Sequence, residues 1–421
     1  MIKAIRGMND ILPEDVRRWH YVEDTTRRIF TLYGFTELRP PVLERTELFL
    51  RSIGDDTDVV EKQMYTFIDK SGDSVTLRPE ATASVLRAVI EHSLLGRDPI
   101  QKLYSIGPMF RYERPQKGRY RQFHQINAER LGEDGPFADA ETLGLAYDLA
   151  SAILGKDVLH MVVNSLGCKD CRPGFKDALT RFLASRQDRL CEDCRRRMYT
   201  NPLRVLDCKV DSCRDAVEGS PSIQDFLCQG CKDHQEGVLK GLKVLDVRFA
   251  LDPRLVRGLD YYTRTTFEIT ASGLGSQNAI VGGGRYDNLL SILGGPEVGG
   301  IGFAFGMERM IMLMGDKQED VKGCFVAAQP KPEVEREALA FISDLRKAGI
   351  RTEAAFGKSF KAQMRRADKA GYPICAIIGE DEIESSTLII KDMRDASQRT
   401  VPRKTVLDEI TSMFSKKGED S

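Results

Sequence analysis

Met109-Phe110-Arg111-Tyr112-Glu113-Arg114-Pro115-Gln116-Lys117-Gly118-Arg119-Tyr120-Arg121-Gln122-Phe123-His124-Gln125-Ile126-Asn127-Ala128-Glu129-Arg130 reads as the end of one strand, a basic loop and a returning strand. Alternate residues of a strand share a face. Arg111 and Glu113 therefore point together, as do Gln125, Asn127 and Glu129, with His124, Ile126 and Ala128 opposite. One face of this hairpin presents a guanidinium, carboxylates and amides, which suits a wet site for a charged substrate; a solvent-exposed antiparallel hairpin is the alternative. Arg114, Lys117, Arg119 and Arg121 surround Gly118 in the loop. Such a loop either neutralises phosphates or is a solvated turn.

Upstream, a first helix is expected from Pro13, with Glu14 and Asp15 complementing its positive end and Gly34 following its last turn. Val16, Trp19, Val22, Thr26, Ile29, Phe30 and Tyr33 recur at helical spacing and give it one buried face. Phe35 to Leu43 holds two prolines, which forbid helix and favour a sheet edge or an interface. In Leu77-Arg78-Pro79-Glu80-Ala81-Thr82-Ala83, Pro79 ends a strand and Glu80 and Thr82 fall at a helix start. Thr82 is either an N-cap or, with Glu80, part of a site in which a carboxylate grips an ammonium group.

Downstream, Arg257-Gly258-Leu259-Asp260-Tyr261-Tyr262 precedes a strand over Thr265–Thr270, and Gly282-Gly283-Gly284-Arg285-Tyr286-Asp287 follows. A glycine-rich turn ending in arginine suits nucleotide binding, although tight turns use glycine too. No Gly-x-x-x-x-Gly-Lys-Ser/Thr string is present, so a P-loop is not the nucleotide site. Gly299 to Arg309 is a glycine-rich strand running into a helix near Met307. Arg309 sits in the first helical turn, against the local dipole, and a local violation of that kind is expected where an anion binds.

The 421 residues imply two or three domains, and 41 % hydrophobic with 30 % charged residues is an ordinary globular composition. A formal net charge of −1 argues against a simple histone-like binder but leaves room for a local basic surface. No apolar run approaches the ~20 residues that span a bilayer, and the N-terminus lacks a secretory core, so a cytoplasmic protein without membrane partners is expected. The polar stretch Gly315–Lys322 reads as a linker. Beyond it, strands near 323–328, 350–356, 372–379 and 386–393 enclose helices near 332–348 and 359–370, with a last helix from about 403. That is a separate small α/β domain.

Cys168-x-x-Cys171, Cys191-x-x-Cys194, Cys208-x4-Cys213 and Cys228-x-x-Cys231 hold eight of the ten cysteines. In a reducing compartment disulfides are not expected, and eight thiolates suffice for two tetrahedral Zn²⁺ sites in a segment poor in apolar residues. Free thiols are the alternative. Consecutive and interleaved sets of four are equally compatible with the spacing.

Together these segments resemble class II aminoacyl-tRNA synthetases, and among them the histidyl members. The order is a proline-ended first motif at 34–41, Phe-Arg-x-Glu with its loop, and a glycine-rich strand ending in Glu308-Arg309. Arg-Gly-Leu-Asp-Tyr-Tyr and Gly-Gly-Arg-Tyr-Asp look like the two stretches peculiar to the histidine-specific enzymes. The match covers residues 1–315 apart from the cysteine block, and more loosely the remainder.

The resemblance implies an α+β fold: an antiparallel catalytic sheet flanked by helices, over 1–164 and 241–316. A Cys-rich insertion at 165–240 interrupts it, and an α/β anticodon-binding domain follows at 323–421. It further implies a homodimer built on the first motif, with L-histidine, ATP with Mg²⁺ and tRNA(His) as partners. Arg111 would hold the α-phosphate and Arg309 the γ-phosphate of a bent ATP, with Glu113 and Arg119 also at the nucleotide. Glu80, Thr82, Gln125, Glu129, Tyr261 and Tyr262 would surround histidine, and Arg257 would lie beside its carboxylate and the α-phosphate. Arg195, Arg196 and Arg197 of the insertion would face the tRNA acceptor arm. Lys358, Lys361, Arg365, Arg366 and Lys369 would offer phosphate contacts on the last domain; a solvated helix face is the alternative there. Two rival readings are a catalytically silent regulatory relative and a synthetase for threonine, proline or glycine. The first generally lacks the substrate motifs and the last domain. Arg-Gly-Leu-Asp-Tyr-Tyr argues against the second.

Overall fold

A computed structural model describes residues 2–54, 57, 59–273, 279–315 and 323–415. It separates into two compact units, Met1–Gly315 and Asp316–Ser421. Of the expected linker only Gly315 is described; the rest lies outside the described residues.

The first unit is organised by an eight-stranded sheet. Its order is Thr36–Glu37, Gln101–Phe110, Gln122–Leu131, Gly300–Gly306, Ala279–Arg285, Thr263–Ala271, Leu159–Ser165 and Phe249–Leu251. The six inner strands pair antiparallel, and each short edge strand is parallel to its neighbour. The quoted hairpin pairs from Gln101↔Leu131 to Phe110↔Gln122, and its loop runs from Arg111 to Arg121. The segment ahead of Pro40 and Pro41 supplies the edge strand Thr36–Glu37, and the two prolines, which lack amide donors, follow its end.

Ile126, Ala128, Phe267, Ile269, Phe303 and Phe305 alternate onto one face of the sheet. They pack there with Trp19, Val22 and Phe30 of helix Pro13–Leu32, Leu143 and Tyr147 of Pro136–Leu154, and Met310 of Met307–Leu313. That periodicity is why Gln125, Asn127, Glu129 and Glu268 emerge on the other face.

Two expectations are corrected. Gly282, Gly283 and Gly284 form no turn: they lie in the middle of a strand, paired with Ala304, Phe303 and Gly302. Arg285 then turns into the interior, where it is 0 % exposed and bonds Asp139 at 2.8 Å, rather than reaching a nucleotide. Asp139 also accepts from Thr265 Oγ1 and lies 2.8 Å from His234 Nε2. Thr82, in turn, does not cap helix Thr82–Glu91. The Glu80 carboxylate accepts from the amides of Thr82 and Ala83, at 2.7 and 2.9 Å.

The cysteine-rich insertion is less apolar-poor than its composition suggests. Phe175, Leu179, Leu183, Leu190, Met198, Val205 and Ile223 make a core of its own. The boundary expected at 240 falls inside the continuous helix Gln229–Val244.

In the second unit the sheet order is Arg351–Ala354, Gly323–Ala328, Ile374–Ile378, Thr387–Asp392, Gln398–Pro402; the first three strands are parallel, the last two antiparallel. Helices Pro332–Lys347, Phe360–Lys369 and Val406–Ser415 accompany it. The strand Gln398–Pro402 and the short helix Glu380–Glu384 were not expected. Among the described residues of the chain, no helix is long and apolar enough to cross a membrane.

Candidate active site

The sheet face turned away from the helices floors a cleft of about 930 Å³. Arg111, Glu113, Arg119, Gln125, Arg257, Tyr261, Tyr262, Arg309, Glu80 and Thr82 all line it. Glu129 lies directly beneath, 1 % exposed. Arg111, Arg257 and Arg309 thus come from separate places: the end of the hairpin strand, the irregular segment 252–262, and the helix after the glycine-rich strand.

Each guanidinium is held by few acceptors. Arg111 Nε donates to Pro79 O at 2.9 Å, and its plane lies 5.4 Å from the Phe123 ring centre. Arg309 donates to Gly118 O and Ala279 O, at 3.1 and 2.5 Å. Arg257 Nη1 donates to Glu268 at 2.8 Å. Burial pulls the pKa of Arg111 and of Arg309 down, opposed by Glu80 for the first and Glu268 for the second. Arg111 is pushed the same way by Arg257, and Arg309 by Arg111. Guanidinium stays charged under such shifts, so the cleft floor carries cationic charge that carboxylates only partly balance.

Glycines make the close approaches possible. A Cβ on Gly282 would lie 1.8 Å from Arg257 Nη2, and one on Gly302 would lie 2.0 Å from Glu129 Oε2. The first lets a guanidinium lie flat on the sheet; the second admits a carboxylate between strands.

At the inner end, Thr82 Oγ1 donates to Glu129 at 2.6 Å, and the Tyr286 hydroxyl donates to its other oxygen. Burial nonetheless pushes Glu129 up to about 8, and Glu80 adds to the shift. Burial likewise raises Glu80, although two backbone amides oppose it. Tyr261 and Tyr262 stack at 4.6 Å between ring centres, with Tyr286 5.8 Å from Tyr261. Gln125 Oε1, Asn127 Nδ2 and Arg257 Nε are buried without a partner among the described residues. An unpaired buried polar atom costs about 1–3 kcal/mol, so three on one cleft wall mark where a polar ligand completes the pairing.

Not every expected group is available. Glu113 is paired with Arg119, and the Arg121 guanidinium stacks 3.9 Å over the Tyr112 ring. Arg195 is turned onto the carbonyls of Gln187 and Leu190, and Arg196 pairs with Glu61. Lys358 precedes the basic helix rather than lying on it, and Arg366 pairs with Glu353. Two cleft residues went unclaimed in the sequence. Glu268 follows from the Phe267/Ile269 alternation, and Tyr286 adjoins the glycine run.

The eight insertion cysteines form two groups, Cys168/Cys171/Cys228/Cys231 and Cys191/Cys194/Cys208/Cys213, with the sulfurs of each group within 4.8 Å of one another. The first and last pairs enclose the middle two.

This cleft can be compared with known proteins. The family description "Histidyl-tRNA synthetase" matches residues 7–310, and "Anticodon binding domain" matches residues 311–413. The histidine–tRNA ligase of Syntrophotalea carbinolica is 51 % identical over 410 residues, covering 95 % of this chain and 96 % of its own length. That of Desulfatibacillum aliphaticivorans is 50 % identical over 420 residues, covering 98 % and 99 %. The crystal structure of the apo S. aureus histidyl-tRNA synthetase superposes with a TM-score of 0.81 at 35 % identity, covering 97 % of this chain and 100 % of that one. Matches spanning nearly the whole chain in sequence, together with the antiparallel sheet and its arginine-floored cleft, leave one assignment: the chain belongs to the histidyl-tRNA synthetase family.

Proposed function

We propose that this chain is a histidine–tRNA ligase, an aminoacyl-tRNA ligase of class II. It activates L-histidine with ATP to histidyl-adenylate and pyrophosphate, then transfers histidine to the 3′ end of tRNA(His). The observation that carries this reading is the pairing of a cationic floor (Arg111, Arg257, Arg309) with unpartnered polar atoms on Gln125 and Asn127 in one cleft.

In the first step a carboxylate oxygen of histidine attacks the α-phosphorus, and the bond to the bridging oxygen breaks to release pyrophosphate. Negative charge gathers on the phosphoryl oxygens and no proton has to move. The catalytic demand is therefore positioning and charge stabilisation. Arg111 and Arg257 serve the α-phosphate, Arg257 also the histidine carboxylate, and Arg309 the γ-phosphate. Arg119 and Glu113 flank the nucleotide. Glu80, Thr82, Gln125, Glu129, Tyr261 and Tyr262 enclose histidine and read its nitrogens. Selectivity follows because another side chain leaves these buried groups unpaired.

Mg²⁺ brought with the ATP would supply phosphate charge neutralisation. Glu113 and Glu268 each face an arginine, which fits a metal held mainly by phosphates and water. The thiolate groups of the insertion hold zinc. Residues 1–164 and 241–316 form the catalytic domain, 165–240 the insertion and 323–421 the anticodon-binding domain. The working form is a cytoplasmic homodimer joined through the segment around 34–41.

Exchange of pyrophosphate into ATP, assayed with each of the twenty amino acids, tests the proposal. Histidine alone is expected to support exchange. Exchange with a different amino acid would overturn the specificity; none from folded protein with Mg²⁺ would point to a silent regulatory relative.

A further inference from the structure

The irregular segment 252–262 carries Arg257, Tyr261 and Tyr262, yet no helix or strand holds it. Its shape comes from tertiary contacts, three of which originate in the insertion. Arg204 Nη1 donates to Arg257 O at 3.1 Å, and Asn201 Nδ2 to Asp260 at 2.8 Å. Arg172 donates to Tyr262 O. Asn164 Nδ2 holds the carbonyls of Pro253 and Leu255, and Gln224 of the insertion fixes Asn164 at 2.8 Å.

These contact residues are tied to the cysteines by sequence position. Arg172 directly follows Cys171. Asn201 and Arg204 lie between Cys194 and Cys208, inside the loop that the Cys191/Cys194/Cys208/Cys213 group closes. Four thiolates at ~2.3 Å from a tetrahedral zinc sit about 3.8 Å apart. The sulfurs of Cys168 and Cys171 are 3.6 Å apart, those of Cys168 and Cys228 3.9 Å, and those of Cys191 and Cys208 4.0 Å. In each group a backbone amide crosses from one pair to the other: Cys228 N to Cys171 Sγ and Cys191 N to Cys213 Sγ, both 3.1 Å. Such donors stabilise the anionic sulfur and orient it. All ten cysteines are free thiols rather than disulfides.

We propose that the two cysteine groups are separate zinc centres with different tasks, and that the distal one (Cys191, Cys194, Cys208, Cys213) positions Arg257 for histidine activation. This rests on the zinc reading above and extends it to the active site. The proximal centre fastens the root of the insertion, where the chain leaves and rejoins the sheet. The distal centre closes the loop from which Arg204 holds the Arg257 carbonyl and Asn201 holds the Asp260 carboxylate. Arg204 lines the cleft but acts here through the Arg257 carbonyl, and Asn201 acts through Asp260; both are positioning residues. Arg257 therefore depends on a metal that takes no part in the chemistry.

The test uses the full chain purified without chelator. Two zinc ions per chain are expected, and Co²⁺ substitution should give the absorption of tetrahedral thiolate sites. The double variant Cys191→Ser/Cys208→Ser should keep one zinc. Its kcat/KM for histidine in pyrophosphate exchange should fall about 10- to 100-fold, and amide exchange should speed up across 252–262 but not across 101–110. Should that variant fail to fold, Arg204→Ala decides: it should keep two zincs and lose histidine-dependent exchange about 10-fold. Wild-type protein holding less than half a zinc per chain would overturn the zinc reading and the proposal with it. Two zincs with a distal variant, or Arg204→Ala, that activates histidine normally would overturn the positioning role and leave the zinc reading standing.

Discussion

Thr82 Oγ1 lies 2.6 Å from Glu129 Oε1, and Tyr286 donates to the second oxygen of the same carboxylate. Two donors would ordinarily lower a carboxyl pKa, but burial wins and holds Glu129 at about 8. Near neutral pH the free protein therefore keeps this group largely protonated. A cationic nitrogen placed against it favours the ionised form, so histidine binding between about pH 6 and 7 should release about one proton, falling to about half at pH 8. Calorimetry in two buffers of different ionisation enthalpy measures that number directly. Glu129→Gln should abolish the release and lower kcat/KM for histidine by about 10²-fold or more. The same shift costs stability: the unliganded protein is stabilised below the ordinary carboxyl pKa, and that contribution disappears as pH rises through about 8.

The three atoms nearest to where a Gly282 Cβ would stand all belong to the Arg257 guanidinium, at 1.8, 2.2 and 2.4 Å. A flexible side-chain end can move, so Gly282→Ala should change unfolding free energy by less than about 1 kcal/mol. Displacing a charge from the reacting phosphorus should nevertheless lower the exchange rate about 10²-fold. Gly302→Ala differs because its Cβ would meet Ala128 O at 2.5 Å as well as Glu129. That backbone obstacle should cost both stability and activity. Denaturation midpoints measured beside exchange rates separate the two cases.

Asp139 and Arg285 are each 0 % exposed and are joined at 2.8 Å. Burial alone would raise the Asp139 carboxyl, but His234 and Arg285 hold it below its ordinary value. Asp139→Ala leaves the buried Arg285 guanidinium with Asp287 as its remaining close carboxylate and should destabilise the protein by up to about 3–5 kcal/mol, read from urea unfolding at pH 7. Because the folded pKa is depressed, this stabilisation is present above about pH 3.9 and is lost as pH falls through the folded value.

The basic helix Phe360–Lys369 presents Lys361, Arg365 and Lys369 to solvent, with Lys358 exposed just before it. If these groups meet tRNA phosphates, Lys361→Ala/Arg365→Ala should weaken tRNA binding and flatten its salt dependence by roughly one to two units of slope. Histidine-dependent pyrophosphate exchange without tRNA should stay unchanged. An unaltered salt slope would leave these residues as a solvated face.

The hairpin was legible because its alternation is unbroken: Ile126 and Ala128 go to the core while Gln125 and Asn127 line the cleft and Glu129 shares their face. The Gly282–Gly284 strand was not, since three residues without side chains carry no period of two. The strand Gln398–Pro402 buries only Val401 and so offers no pattern either. Thr82 looked like a cap by residue type, yet the longer Glu80 side chain reaches the free amides first. The nesting of the cysteine pairs is a tertiary fact that linear spacing does not encode. Glu268 was readable and overlooked, one position from Phe267.

Strand partners in the central sheet are far apart along the chain, and this bears on the order in which the protein can fold. Ala128 pairs with Tyr104 but also with Phe303, and Met161 waits for both Ile269 and Phe249. During synthesis the hairpin is complete long before its other neighbour leaves the ribosome, with an unpaired edge open to wrong partners. The insertion is the longest stretch in that interval, and its contacts are mostly local to itself. A segment that condenses early around its own core shortens the effective loop that the sheet must close. Its early condensation thus offsets part of the closure cost that its own length adds between the two halves of the sheet.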